Sequence, residues 1–112
     1  MLFARDLIPT ILALALSVSR AEASIAIGTG GGFNVMWVDG TDPCRWTRIN
    51  DEGENPCGVH LANPLDGNGR KYVLQGCGGA IWLDNEDGSF NSNCHEAPAN
   101  LNCKVHRSLL CY

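Results

Sequence analysis

The sequence predicts an all-β fold, a small β-sandwich or barrel stabilised by disulfides. Three observations carry this. Short runs of apolar residues are separated by Gly, Asn, Asp and Pro turn signals about every ten residues. Six cysteines fall in a chain of 112 residues. The N-terminus has the pattern of an export signal, which would take those cysteines to an oxidising compartment.

The export signal is read over residues 1–23. Arg5 lies in a short leading region, residues 7–18 (LIPTILALALSV) are apolar, and Ala21-Glu22-Ala23 offers the small-x-small cleavage pattern. The apolar run is shorter than the roughly 20 residues that a membrane-spanning helix needs. Cleavage after Ala23 leaves residues 24–112 as a single disulfide-rich β domain. Cys44, Cys57, Cys77, Cys94, Cys103 and Cys111 all lie in it. A domain this small buries limited apolar area, while ordering each residue's backbone costs about 1–2 kcal/mol. Bridges worth typically 2–4 kcal/mol each offset part of that cost. Six cysteines allow fifteen pairings, and spacing does not choose among them.

The mature chain then reads in order. Residues 24–27 suit a first strand, broken by the run Thr29-Gly30-Gly31-Gly32. Residues 33–38 (FNVMWV) give the strongest strand pattern. Phe33, Val35 and Trp37 share one face; Asn34, Met36 and Val38 share the other. A turn at residues 39–43 leads to a returning strand at 44–49. Residues 50–56 are acidic and turn-rich, and read as an exposed loop. A short strand is expected at 58–62. Asp66-Gly67-Asn68-Gly69 marks a hairpin tip, followed by a strand at 71–75. Gly76-Cys77-Gly78-Gly79 reads as a bend where another backbone comes near. A strand at 80–84 and a turn at 85–89 follow. The tail reads as strand or irregular structure, with a short C-terminal helix from Pro98 as the alternative, since Leu101, Val105 and Leu109 recur at helical spacing. The stretch 71–94 is the centre to which the rest is attached.

Net charge is −4. Nucleic-acid binding rests largely on Lys and Arg displacing counterions, so a nucleic-acid partner is not expected. Membrane insertion is not expected either, and the domain reads as a monomer. The glycine run 30–32 matches neither common phosphate-loop pattern. No N-x-Ser/Thr sequon occurs.

Candidate chemistry is sparse. Cys94-His95 and Cys103-x-x-His106 have ligand types for zinc, but zinc needs thiolates and an exported chain oxidises them. Neither acidic turn places carboxylates at the calcium-loop positions, leaving an irregular site on Asp84, Glu86 and Asp87 as the calcium alternative. No metal and no cofactor are therefore expected. His60, His95, His106 and Glu96 have the residue types of a small hydrolase or ribonuclease, yet their spacing does not bring them together. No catalytic residue is assigned. Of three tryptophans, Trp37 and Trp82 sit in strand patterns and read as core. Trp46, flanked by arginines, reads as a binding contact. Arg70-Lys71 is a dibasic pair beside a predicted tip, where proteases cut most readily.

The mature chain resembles the small secreted cysteine-rich proteins of filamentous fungi, many of which act as effectors in plant hosts. The likeness lies in Ala21-Glu22-Ala23, Asp42-Pro43-Cys44, Asn55-Pro56-Cys57, Gly76-Cys77-Gly78-Gly79, and Asp87-Gly88-Ser89-Phe90 running into Cys94. It implies an extracellular or host-delivered protein that acts by binding, and it carries over no functional residue.

The expectation is thus a secreted effector or virulence-type protein that binds a host protein or a cell-wall glycan. Its expected contacts are Trp46, Asp51, Glu52 and Glu54, with Asp84, Glu86 and Asp87 behind them. The alternatives are a secreted antimicrobial or killer-type toxin and a small secreted hydrolase or ribonuclease.

Overall fold

A computed structural model describes residues 24–112; the predicted export signal lies outside them. Seven strands form one curled antiparallel sheet in the order β3-β2-β1-β7-β6-β5-β4. They are β1 Ile25–Gly30, β2 Phe33–Val38, β3 Thr47–Asp51, β4 Tyr72–Gln75, β5 Trp82–Asn85, β6 Phe90–Leu101 and β7 Val105–Cys111. The predicted all-β, disulfide-stabilised class holds. It takes the form of a sheet whose first and last members in the order are β3 and β4.

β1 and β2 form a hairpin closed by Gly31 and Gly32, which pair Gly30 with Phe33. The glycine break, expected from Thr29, falls two residues later than the sequence suggested: β1 continues through Gly30. Both turn residues have positive φ (61° and 88°), the conformation a two-residue hairpin of the right twist demands. The alternation in β2 divides the core. Ile25, Ile27, Met36 and Val38 face one cluster, completed by Leu61, Leu65, Tyr72, Leu74 and Leu83. Ala26, Val35 and Trp37 face a second cluster with Val105, closed by Phe33, Trp46, Leu101 and Leu110. The hairpin is therefore buried on both faces.

β6 joins the two halves of the sheet. Its first residues pair with β5, and from Cys94 onward it pairs with β7. The register shifts between Glu96 and Ala99, bulging out Ala97 and Pro98. Proline has no N–H to donate to a ladder, which suits it to such a bulge. The tail is thus a long hairpin, and the helical alternative does not form beyond a three-residue 3-10 turn at Asn102–Lys104.

Two strand expectations are corrected. Residues 58–62 are irregular; Gly58 N–H donates to Leu74 O (2.7 Å) and Leu61 fills the core. One anchored apolar residue satisfies this segment without a ladder. The strand expected at 44–49 starts only at Thr47 and runs to Asp51. Asp42 caps a 3-10 turn at Pro43–Arg45, its side chain accepting from Cys44 N–H.

The bridges are Cys44–Cys103, Cys57–Cys77 and Cys94–Cys111, and no cysteine is free. Cys94–Cys111 staples β6 to β7 where the sheet changes partner. Cys57–Cys77 ties the irregular segment to the glycine-rich bend after β4. Cys44–Cys103 ties the 3-10 turn before β3 to the tip of the β6-β7 hairpin.

Candidate functional site

The outer face of the β4-β5-β6 end carries a row of side chains fixed by register. Leu83 points into the core, so its neighbours Trp82 and Asp84 point outward. Trp82 pairs with Gln75 on one side and with Asn93 on the other. Cys94 pairs with Cys111, which sets Tyr112 opposite Asn93; Tyr112 N–H donates to Asn93 O (2.9 Å). The row is Gln75, Trp82, Asn93, Tyr112. Phe90 pairs with Asp84 beside it. Trp82 is 36% exposed, Phe90 59% and Tyr112 66%. These are the large apolar side chains that the fold leaves in solvent among the described residues.

The two rings of the row are held in place. Trp82 Nε1 donates to Asp84 Oδ1 (3.0 Å). The six-membered side of the indole lies against Gly76, so closely that a Cβ there would come within 2.8 Å of it. Gly76 also has φ 85°, which disfavours any other residue. The bend predicted at Gly76-Cys77-Gly78-Gly79 is therefore the seat of the tryptophan ring. Tyr112 packs on His95, with ring centroids 4.3 Å apart and planes inclined by 32°.

The contacts expected from sequence lie elsewhere. Trp46 is half-buried, its ring 5.9 Å from Phe33 and lying over Gly30 and Gly31. It closes the second core cluster. Asp51 ends β3, Glu52 and Glu54 lie on the turn that follows it, and all three are exposed. Buried Asn34 holds that turn: its Nδ2 donates to Asn50 Oδ1 (2.8 Å), Asp51 O (3.1 Å) and Glu54 O (3.0 Å). Arg48 pairs with Asp51 (3.0 Å) and lies over the Phe33 ring. This turn is beside the Gly31-Gly32 tip of β1-β2, since Glu52 N–H donates to Gly32 O. The second acidic turn lies between β5 and β6. Asp84 accepts from Trp82, Glu86 approaches Lys71 (3.9 Å), and Asp87 accepts from Ser89 Oγ (2.6 Å) and N–H (2.9 Å). The Ser89 hydroxyl, then its amide, hold the Asp87 carboxyl below its ordinary range. The three carboxylates of the calcium alternative thus have separate partners, and no cluster of three metal-ligating groups occurs among the described residues.

His95 and His106 are not brought together, since they pair with Leu110 and Asn100 at separate points of the β6-β7 hairpin. His60 is exposed on the irregular segment. His95 and Glu96 are successive residues of β6 and so point to opposite faces. His106 Nδ1 meets Asn100 Oδ1 toward the tip of the β6-β7 hairpin. The Arg70-Lys71 pair borders an open depression of about 560 Å³, walled by Pro64 and Gly69 on one side and residues 85–87 on the other.

The strand pattern placed Trp82 in the core, and the structure turns it outward. The signal for this was present. Ile81 and Leu83 alternate against Trp82 and Asp84, so a tryptophan sharing its face with a carboxylate is the outward one. Tyr112 and Asn93 gave no comparable signal, because their juxtaposition depends on the Cys94–Cys111 pairing. Comparison with protein-family models, with curated proteins and with solved structures returns no match.

Proposed function

We propose that the chain is a secreted binding protein of the effector or virulence type, acting as a monomer on a host protein or a cell-wall glycan. The observation that carries this reading is the row Trp82, Asn93, Tyr112: exposed aromatic rings, each held by its own contacts, on a stapled scaffold. Aromatic side chains with a polar tip, fixed before binding, supply contact area at low entropic cost. Three cystines suit an oxidising, extracellular setting. The separation of His95 from His106 along the β6-β7 hairpin, with Glu96 facing away from His95, supports the binding reading over the hydrolase one. The contact surface moves from the sequence-expected Trp46 and the acidic turns to the outer face of β5, β6 and the chain end.

The test uses the oxidised protein and its Trp82→Ala/Tyr112→Ala double variant, offered separately to host cell-wall material and to host extracellular proteins. Retention by one of the two, lost in the variant while the disulfide-bonded fold persists, supports the reading. Retention by neither, or retention indifferent to the double variant, contradicts it. Turnover of RNA or glycan substrates that a His→Ala change abolishes would replace it with the hydrolase reading.

A further inference from the structure

We infer that the outer face binds a neutral, extended β-1,4-linked glycan chain, which runs across β5, β6 and the chain end with sugar rings stacked on Trp82 and Tyr112. This rests on the binding reading above and names its ligand.

The first argument is spacing. Trp82 and Tyr112 are two strand positions apart in the row, with Asn93 between them. Neighbouring strands lie about 4.8 Å apart, so the two positions are separated by about 10 Å. A flat β-1,4-linked chain has a two-fold repeat along its axis, and rings two apart present the same face at closely this interval. An α-1,4-linked chain curves and does not keep two rings on one plane over that distance.

The second argument is the chemistry between the rings. A pyranose has an apolar C–H face and a rim of hydroxyls. The row supplies aromatic rings for the first and amides for the second. The exposed Asn93 side chain offers donors and an acceptor in the gap between the rings, and Gln75 continues the row past Trp82. A protein-binding hot spot is enriched in arginine beside its tryptophan and tyrosine. Here the immediate neighbours of the rings are Gln75, Asp84, Asn93 and His95.

Charge is the third. The row contains no lysine or arginine, and the Asp84 carboxylate lies against Trp82 Nε1. The whole chain is at −4. An anionic polysaccharide would be repelled, whereas hydroxyl groups find acceptors.

The experiment is co-sedimentation of the oxidised full mature chain with insoluble β-1,4-glucan and with insoluble β-1,4-linked N-acetylglucosamine polymer. An α-1,4-glucan and an anionic polysaccharide serve as comparison matrices. Wild type, Tyr112→Ala and Trp82→Ala are compared. Tyr112 is 66% exposed and lies outside both core clusters, so its variant keeps the comparison valid even where the Trp82 change disturbs the fold. The expected result is retention on at least one β-1,4-linked matrix, weakened about threefold to tenfold by loss of either ring, with little retention on the others. Equal retention on the α-linked or anionic matrix overturns the inference, as does β-1,4 retention that Tyr112→Ala leaves intact. Capture of a host extracellular protein through Trp82 and Tyr112, with no glycan retained, also overturns it while leaving the binding reading standing. Failure with every glycan and every host protein removes both.

Discussion

At the scale of single residues, a few side chains fix what the loops present. Asn34 is buried and spends its amide on the turn after β3. Asn34→Ala leaves the carbonyls of Asp51 and Glu54 without that donor. It is expected to cost about 1–3 kcal/mol, read by urea denaturation, with faster amide exchange at Glu52 and Glu54. Gly76 is constrained twice, by positive φ and by the Trp82 ring and the Ala80 carbonyl packed against it. Gly76→Ala is expected to destabilise by more than about 1 kcal/mol and to change the tryptophan fluorescence by displacing Trp82. Asp87 gives a pH signature. Its carboxylate is favoured by Ser89 in the folded chain, so its folded pKa lies below the unfolded one. The resulting stabilisation is present above the unfolded value and is lost as pH falls through the folded one. Carboxyl titration followed by NMR should place Asp87 below an aspartate in an unstructured peptide, and Ser89→Ala should move it back up. An unshifted Asp87 would mean that the Asn85–Ser89 turn does not hold the geometry described.

Among the elements, the hairpin tip at residues 102–104 tests the β6-β7 register. Cys103 (φ 64°) and Lys104 (φ 58°) both adopt the left-handed conformation without being glycine. That costs roughly 1 kcal/mol per residue. The Cys44–Cys103 bridge anchors this tip to the turn before β3. Lys104→Gly should raise stability by up to about 1 kcal/mol, measured by urea denaturation; a loss of stability would show that this residue is not in the left-handed region. What the sequence revealed at this scale follows from locality. β2 was legible to the residue because six positions alternate without interruption between two turn signals. The turn after β5 was legible for a similar reason, and so was β5 itself, although it starts at Trp82 rather than at Ala80. β6 was not, because its polar residues do not alternate regularly, it includes Pro98, and it pairs with two different strands. Residues 58–62 misled because Val59 and Leu61 alternate like a strand, while only Leu61 is fully buried. The candidate site was illegible for a deeper reason: Trp82, Asn93 and Tyr112 meet through long-range register, which no local pattern encodes.

For the whole molecule, two modest core clusters share one hairpin, and three bridges connect the parts that the sheet leaves loosely attached. Cys44–Cys103 and Cys57–Cys77 tie segments outside the ladders, with sequence separations of 59 and 20. Removing Cys44–Cys103 by a double Cys→Ser change should cost about 2–5 kcal/mol, seen as a lower thermal midpoint. An unchanged midpoint would show that the two clusters suffice without it. Cys94–Cys111 has a second consequence, because it sets the register that places Tyr112 beside Asn93. The most direct measurement is an NMR titration of the isotopically labelled, oxidised protein with a soluble β-1,4-linked oligosaccharide. The account predicts shift changes centred on the Trp82 indole N–H, the Asn93 side-chain amide, His95 and Tyr112, with the Asp51–Glu54 turn unmoved. Changes centred on that acidic turn, or none at saturating ligand, would contradict it.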